Sequence, residues 1–378
     1  EHHFAVDILT QHHLGKLVKK STPDITCFGA YVLNLKKHEI YTVLSKVTVM
    51  ATGGVGNIYH TTTNPSVATG DGVAMVHRAK GVIENMEFIQ FHPTSLYNPG
   101  ERPSFLITEA MRGFGGLLRL QNGKEFMQKY HPMGSLAPRD VVARSIDHEL
   151  KISGEEFVYL DITHKDPKEV TAHFPNIYRK CLSIGIDLTK DMLPVVPAAH
   201  YCCGGIKVNL NGESSIRHLY ALGEASSTGL HGGNRLASNS MMEAAVYADA
   251  AARHAISVID SIQLQHGIPA WDYEGTTIPE EMALITQNYK EMQQIMSNYV
   301  GIVRSNLRLE RAKRRLEIIF KETEELYLKS TLSQHLCELR NMIAVGYLII
   351  KQAEARHESV GLHYSIDYPS KPINIEEC

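Results

Sequence analysis

A nearly continuous apolar segment, residues 46–52, runs directly into Gly53 and Gly54. A strand of this kind is usually covered on both faces, as in a parallel sheet flanked by helices. Glycines after the strand let the backbone approach a ligand closely, although a tight turn accounts for the same residues. Because the same α/β pattern returns at 198–259, the chain is predicted to contain an α/β domain built from two separate segments.

The remaining segments differ in composition and periodicity. Residues 85–197 are richer in Pro and His and predict short strands with a helix, whereas residues 271–357 contain almost no Gly or Pro and follow a helical period. The individual elements predicted are antiparallel strands at 25–34 and 39–44, strands at 205–209 and 218–222, and helices at Arg139–Ser153 and from Ser240. The domains predicted are α/β segments at 1–85 and 201–262, an inserted α+β domain at 86–200 and a C-terminal helical bundle at 270–378.

The composition excludes several classes of function. A chain of 378 residues can build a large core without a disulfide or metal staple. Its formal net charge of −3 argues against nucleic acid or an anionic membrane as the main partner. No apolar run approaches the roughly 20 residues that a membrane span needs, and no secretory signal is apparent. Six scattered cysteines without paired spacing indicate a reducing cytoplasm.

Two clusters of charged or metal-binding residues have simple interpretations. The basic stretch 304–315 is interleaved with or followed by Glu, which predicts a solvated helix face with ion pairs rather than a nucleic-acid helix. The histidine pairs at 2–3 and 12–13 lack carboxylate partners at the spacing of a metal motif. No metal site is therefore predicted.

Candidate ligand-binding residues of the α/β segments lie at strand ends and helix starts, where open α/β sheets bind ligands. Asp71, between two glycines, either accepts hydrogen bonds from hydroxyl groups or only holds a turn. Glu224 ends a predicted strand, where a carboxylate can accept hydrogen bonds from ribose or ribityl hydroxyls. Arg235 precedes the predicted helix, and Ser240 with Glu243 forms a capping box. This region is either an anion-binding helix N-terminus or simply a well-capped helix.

A further group of polar residues is spread over the middle of the chain. Two histidines, an arginine and hydroxyl groups suit a small dicarboxylate, because Arg pairs bidentately with a carboxylate. Any single one of the 20 histidines is more often structural. The group consists of Gln90, His92, Thr108, Glu109, Arg139 and His200.

Six short motifs occur together in this chain: ATGG at 51–54, QFHPT at 90–94, TE at 108–109, RD at 139–140, GE at 223–224 and HGGNR at 231–235. Jointly they make the chain similar to the succinate dehydrogenase/fumarate reductase flavoprotein family over essentially its whole length. The segments 160–164, 194–205 and 237–243 make it most similar to the members of that family that oxidise L-aspartate.

The resemblance implies a fold and a set of site residues. The fold is a Rossmann-like FAD-binding domain, here incomplete, with an inserted substrate-capping domain and a C-terminal helical domain. The implied contacts to non-covalent FAD are Gly53, Gly54, Asp71, Glu224, Ser240 and Met241. The implied substrate pocket consists of Gln90, His92, Thr108, Glu109, His200 and Arg235. Arg139 matches the family's proton donor or acceptor. A guanidinium holds its proton above about pH 12, so carboxylate binding is the alternative role of Arg139.

The implied activity is oxidation of L-aspartate to iminoaspartate in a cytoplasmic protein, with electrons passed to oxygen or fumarate. The unstable product feeds quinolinate and NAD synthesis, and quinolinate synthase is the implied partner. Two alternatives remain at this stage. One is a fumarate reductase or succinate dehydrogenase flavoprotein subunit with covalent FAD, and the other is a non-catalytic fragment.

Three departures from the family pattern stand out. The G-x-G-x-x-G fingerprint is absent, since 54–59 does not satisfy it, so the first Rossmann lobe is expected to be missing and the 378 residues alone to bind FAD weakly. The glutamate with which the family is thought to tell aspartate from succinate is expected to lie in that missing lobe. Phe114 stands where relatives often carry Glu, and Val360 stands where they usually carry Arg. The second change is expected to weaken a contact of the helical domain.

Overall fold

The computed structural model describes residues 1–278 and 282–369. The chain divides into two compact units, one formed by Glu1–His60, Val67–Gln90 and the chain from Tyr201 onward, the other by Thr61–Ser66 and Phe91–His200. The main part of the second unit, Phe91–His200, lies within the range predicted for the inserted domain, whereas Thr61–Ser66 comes from the range predicted for the first α/β segment. The helical segment belongs to the same unit as the two α/β segments. The end of the predicted 270–378 domain, including Cys378, lies outside the described residues.

The strands and helices are as follows. The strands are β1 (His3–Leu9), β2 (Gly29–Asn34), β3 (Glu39–Leu44), β4 (Thr48–Met50), β5 (Ile83–Glu84), β6 (Ile89–Leu96), β7 (Leu117–Arg119), β8 (Val158–Asp161), β9 (Leu193–Cys202), β10 (Gly205–Lys207), β11 (Leu219–Ala221) and β12 (Ser226–Ser227). The α-helices are α1 (Asp71–Arg78), α2 (Ala110–Gly113), α3 (Arg139–Ser153), α4 (Pro167–His173), α5 (Pro175–Leu182), α6 (Asn239–Val258), α7 (Met282–Tyr299), α8 (Asn306–Lys329) and α9 (Gln334–Ala355).

The first unit contains three small sheets. Strands β1, β2 and β3 form an antiparallel sheet, which confirms the hairpin predicted around the polar turn after Asn34. Strand β4 pairs in parallel with β11, and β10 pairs in parallel with β12 and antiparallel with β5. The parallel pairing of β4 fits the prediction. The prediction that both faces of this strand are covered was wrong. Met50 is buried while the adjacent side chain, Val49 on the opposite face, is 48% exposed, so only one face of the strand is covered.

The helical segment of the first unit confirms the predicted bundle. Helices α7, α8 and α9 bury periodic apolar positions such as Ile295, Leu316 and Ile343, as an amphipathic bundle requires. The side chains of Ser305 and Ser333 cap α8 and α9 by accepting backbone N–H groups of the first turn. The sequence thus specified these helices locally through periodicity and caps.

The second unit is built on a four-stranded sheet in the order β6–β9–β8–β7. Strand β8 pairs antiparallel with both β7 and β9. A single apolar cluster that includes Leu118, Ile146, Leu160 and Val195 forms its core. Helix α3 has the bounds predicted from the sequence, Arg139–Ser153. This rigid core fixes the start of α3 and the ends of β6 and β9, which carry the polar residues discussed below.

Membrane-spanning helices and groups of metal-binding side chains are both absent from the part of the chain that the structure describes. No helix within 1–278 or 282–369 is long and apolar enough to cross a membrane. In the same residues, no three His, Cys, Asp or Glu side chains are grouped so that they could hold a metal ion. The five described cysteines carry free, buried thiols.

Candidate active site

Five of the predicted substrate residues lie in the second unit. His92 is on β6, His200 is near the end of β9, and Arg139 is the first residue of α3. Thr108 and Glu109 come directly before α2, where the Thr108 hydroxyl accepts the backbone N–H of Ala110 at 3.3 Å. Gln90 and Arg235, the other two predicted substrate residues, belong to the first unit.

The two candidate histidines of the second unit, His92 and His200, lie close together. Their ring centroids are 5.7 Å apart in an edge-to-face arrangement. Burial, the neighbouring His200 and the charge of Arg139 lower the pKa of His92 to about 3. His92 is therefore a neutral imidazole at physiological pH, able to donate one hydrogen bond and accept another.

Glu109 joins two arginines. One carboxylate oxygen accepts hydrogen bonds from Arg139 Nη2 at 2.6 Å and Nε at 3.1 Å, and the other accepts Arg112 Nη2 at 2.8 Å. Burial acts to raise the pKa of Glu109, but the hydrogen bond and charge of Arg139, with the charge of Arg112, outweigh it and hold that pKa below its usual value. The cluster is therefore an ionised carboxylate between two guanidinium groups.

Arg112 was missed by reasoning from sequence. It is only 2% exposed, and its Nη1 also donates to the carbonyl oxygen of Ser135 at 2.9 Å. Its spacing of three residues from Glu109 on a helical segment is the one signal that pointed to this pair. Arg112 holds Glu109, and Glu109 holds Arg139, so the Arg139 guanidinium is fixed through two successive ion pairs.

Arg235, in the first unit, is held from several sides. Its Nη2 donates to Gln90 Oε1 at 2.9 Å and its Nη1 donates to Ser240 Oγ at 3.3 Å. Its guanidinium carbon lies 4.5 Å from the centroid of the Tyr201 ring. Gln90 completes the frame by donating to the carbonyl oxygen of Arg235 at 2.9 Å. Tyr201 was not singled out from the sequence, because a tyrosine in a buried strand has many roles.

The capping box predicted from Ser240 and Glu243 was wrong. Helix α6 begins at Asn239 after Ser238, and no side chain caps it. Glu243 is instead buried and accepts hydrogen bonds from the Thr228 hydroxyl, from His231 Nε2 at 2.7 Å and from the Tyr201 hydroxyl at 3.3 Å. Three donors thus converge on one carboxylate, two from the segment before α6 and one from β9.

Glu224 stands beside the turn that follows β4. It accepts the backbone N–H of Cys202 at 3.0 Å. Burial raises the pKa of Glu224 to about 7, against the opposing effects of that hydrogen bond and of Arg235. A Cβ atom on Gly54 would lie 2.1 Å from Glu224 Oε1, so only glycine allows this approach. Gly53 adopts a φ of 74° and faces open space.

The remaining residues predicted to contact FAD differ in their surroundings. Asp71 begins α1, and its Oδ1 accepts the Thr69 hydroxyl at 2.9 Å and Asn341 Nδ2 at 2.8 Å. Burial raises the pKa of Asp71 to about 6 although both hydrogen bonds act to lower it. Met241, in contrast, is 81% exposed on α6.

Two known protein families match this chain. The FAD binding domain family matches residues 1–241, and the family described as fumarate reductase flavoprotein C-term matches 289–372. The L-aspartate oxidase of Pseudomonas aeruginosa is 48% identical over 97% of this chain and 66% of its own length. L-aspartate oxidase 1 of Ralstonia nicotianae is 48% identical over 98% of this chain and 68% of its own.

The chain belongs to the L-aspartate oxidase family of flavoproteins.

It spans about two thirds of the length of these bacterial members. A chloroplastic member from Nicotiana tabacum is 45% identical over 98% of this chain and 59% of its own length. Among solved structures, Sdh1 of Mycobacterium smegmatis aligns with a TM-score of 0.80 at 30% identity, over 98% of this chain and 63% of its own. A quinol fumarate reductase of E. coli aligns with a TM-score of 0.78 at 28% identity, over 99% and 67%.

The residues of the first unit fit the FAD that L-aspartate oxidases and their fumarate reductase relatives share. In the described part of the chain, Arg235 Nε and His231 Nδ1 are buried and have no hydrogen-bond partner. Gly53 leaves open space beside the backbone, and Glu224 offers a buried carboxylate. A buried Arg235 N–H and a buried His231 ring nitrogen without partners, beside an open glycine turn, suit a polar ligand with hydroxyl and carbonyl groups.

Two positions that depart from the expected family pattern have defined surroundings. The Phe114 ring packs 4.6 Å from the His173 ring and 5.5 Å from the Phe174 ring, with Lys165 Nζ 5.6 Å from its centroid. The Val360 side chain is 43% exposed, and its backbone exchanges hydrogen bonds with His363. The weakened contact expected at Val360 stays a prediction.

Proposed function

We propose that this protein oxidises L-aspartate to iminoaspartate with bound FAD and passes the electrons to oxygen or fumarate. Its relatives from bacteria and plants bear the name L-aspartate oxidase. The observation that carries the proposal is the cluster of His92, His200 and Arg139 in the second unit, backed by Glu109. It offers a neutral imidazole and a fixed guanidinium, which are the groups that recognise a carboxylate.

Each residue of this cluster has a role in the proposed reaction. Arg139 pairs with one carboxylate of aspartate, and the two histidines donate hydrogen bonds to the substrate. Glu109 holds the Arg139 guanidinium in place, because one of its carboxylate oxygens accepts both the Nε and the Nη2 hydrogen bonds of Arg139. This arrangement supports carboxylate binding by Arg139, or proton donation, over a role as a base. The ammonium group of aspartate releases one proton to solvent before the hydride leaves Cα.

FAD, when bound, supplies the acceptor for the hydride that leaves Cα. In the first unit, Glu224 and Asp71 would accept hydrogen bonds from its hydroxyl groups, with Gly53, Gly54, Ser240 and Met241 alongside. Arg235, framed by Gln90 and Tyr201, provides a fixed positive charge for a carboxylate or for the reduced flavin.

Anaerobic reduction of the flavin tests the proposal. In the FAD-loaded full-length protein, L-aspartate is expected to bleach the flavin absorbance, and Arg139→Lys is expected to slow the bleaching because Lys cannot reproduce the bidentate pairing. Bleaching by succinate but not by aspartate would overturn the proposal.

The second candidate is a succinate dehydrogenase or fumarate reductase flavoprotein subunit. The TM-scores of 0.80 and 0.78 to such proteins favour it. The identities of 48% to L-aspartate oxidases favour the first candidate. Flavin that stays attached after denaturation would favour the second, because it requires a covalent link.

We also place the protein in a reducing cytoplasm, with an enzyme that consumes iminoaspartate, quinolinate synthase, as its partner. The free thiols of the described cysteines support a reducing compartment. The instability of an imine in water supports close coupling to the next enzyme. A pull-down between the two purified proteins, with and without substrate, tests the partnership.

A further inference from the structure

Thr63 contacts the ring of His200 in the second unit. The Thr63 hydroxyl oxygen lies 2.8 Å from His200 Nδ1 and 3.4 Å from the carbonyl oxygen of Ala199. Thr63 is partly exposed and lies outside the regular strands and helices. None of the proposed steps above uses this residue.

The direction of this hydrogen bond follows from the partners of Ala199. Its carbonyl oxygen already accepts the Thr62 hydroxyl at 2.8 Å and the Thr63 backbone N–H at 3.0 Å. A carbonyl oxygen has two lone pairs, and both are used by these shorter bonds. His200 Nδ1, at 2.8 Å, is the nearer of the two acceptors beside the Thr63 hydroxyl, and donation to it would leave the proton of a neutral His200 on Nε2.

His92 shows no such constraint. Its Nδ1 lies 3.1 Å from the carbonyl oxygen of Thr94 and 3.3 Å from the backbone N–H of the same residue. The first contact suits a protonated Nδ1 and the second an unprotonated one, so both tautomers have a partner. Of the two neighbouring histidines, His200 is the one whose proton position is determined by its surroundings.

We propose that Thr63 is a positioning residue that fixes the Nε2–H tautomer of His200, so that this imidazole donates a hydrogen bond to a dicarboxylate substrate. The inference rests on the proposed function, in which His200 binds the substrate. Asn64 supports the same arrangement, because its Nδ2 donates to the carbonyl oxygen of His200 at 3.0 Å. Thr63 thus contacts the ring of His200, and Asn64 holds its backbone carbonyl.

The test compares Thr63→Val, which keeps the shape and removes the hydroxyl, with Thr63→Ser, which keeps the hydroxyl. The FAD-loaded full-length protein is titrated with succinate by calorimetry and assayed with L-aspartate. Thr63→Val is expected to raise the Kd for succinate and the KM for aspartate by about three- to tenfold, the value of one neutral hydrogen bond, with a smaller change in kcat. Thr63→Ser is expected to stay within about twofold of wild type. Thr171→Val, which removes a hydroxyl that bonds only to its own helix, serves as the matched control.

Several outcomes would overturn the inference. An unchanged Kd in Thr63→Val would do so, as would an equal loss in Thr63→Ser. If Thr63→Val does not fold, nitrogen NMR of the histidine-labelled wild type still decides, with the His200 signals assigned by their loss in His200→Gln. A proton on Nδ1 contradicts the inference. If succinate binding depends on the Thr63 hydroxyl but aspartate is not oxidised, only the proposed function fails.

Discussion

The guanidinium of Arg235 is stacked on the ring of Tyr201, with 4.5 Å between the guanidinium carbon and the ring centroid. Because Gln90 and Ser240 bind only the guanidinium edge, the ring is what limits movement out of that plane. A buried cation–π contact of this kind contributes about 1 kcal/mol or more.

This geometry predicts that Tyr201→Leu raises the KM for L-aspartate about fivefold or more, through loss of the ring. Tyr201→Phe keeps the ring and loses only the hydroxyl contacts with Glu243 and His231, so its KM is expected to change less. Steady-state kinetics on the FAD-loaded protein, with melting temperatures for both variants, make the comparison. Equal effects of Phe and Leu would show that the ring does not position Arg235.

The buried imidazole of His92 predicts a stability that depends on pH. Its pKa falls from 6.5 to about 3 on folding, so below pH 6.5 the unfolded chain binds a proton that the folded chain does not. The free energy of unfolding therefore decreases as pH drops through this window, by at most about 1.4 kcal/mol per pH unit. His92→Gln removes this term. Urea unfolding of both proteins should give a difference that changes with pH below 6.5 and is constant above it. Parallel curves at all pH values would contradict the neutral buried imidazole.

Glu224 predicts the opposite sign. Its pKa rises from 4.5 to about 7 on folding, so between these values the folded chain binds a proton that the unfolded chain does not. This stabilisation is complete below pH 4.5 and is lost as pH rises through about 7. Glu224→Gln, measured without FAD, is expected to be more stable than wild type by about 1–3 kcal/mol at alkaline pH. Thermal melts of wild type and variant across the pH range should diverge as pH rises, and convergence would refute the prediction.

Arg304 predicts a large loss of stability on substitution. It is fully buried, and its Nη1 donates to the carbonyl oxygen of Glu87 at 2.7 Å and to His363 Nδ1 at 2.9 Å. Arg304→Met leaves these acceptors unpaired and is expected to cost about 3–5 kcal/mol. Arg314→Met is the control, because Arg314 pairs with Glu310 on an exposed face and such pairs contribute less than about 1 kcal/mol. Chemical denaturation measures both, and a similar small loss in each would contradict the structural role of Arg304.

The basic stretch 304–315 shows which contacts can be predicted from local sequence spacing and which cannot. The predicted ion pairs are present for Arg314, which lies four residues from its partner on the same helix. The prediction of a solvated face was wrong for Arg304, which precedes α8 and is buried. Neighbours within one helical turn can be read from spacing. The carbonyl of Glu87, to which Arg304 donates, lies 217 positions from Arg304 in the chain, so no local pattern predicts this contact.

Glu243 illustrates the same limit at a candidate site. Its spacing from Ser240 fits a capping box, but its carboxylate instead accepts hydrogen bonds from Thr228 and His231, in the segment before α6, and from Tyr201 on β9. A local motif offers one hydrogen bond, and tertiary packing replaces it when several buried donors converge.

The sequence by itself determined the elements with strong local signals and the residue types of the candidate sites. The hairpin of β2 and β3, the bounds of α3 and the helical bundle follow from periodicity, turn residues and caps. The motifs around His92, Glu109, His200 and Arg235 are likewise visible in the order of residues, and they carry the resemblance to the flavoprotein family.

Only the tertiary structure decided which of these side chains bond to one another. It placed Arg112 behind Glu109 and brought Thr63 to His200 across 137 positions of the chain. It also buried His92 and Glu224. Burial lowers the pKa of His92 and raises the pKa of Glu224, and in both cases it favours the neutral form. The physical reason is that hydrogen-bond partners and local dielectric depend on distance and burial in space, and distant segments acquire both only when they pack.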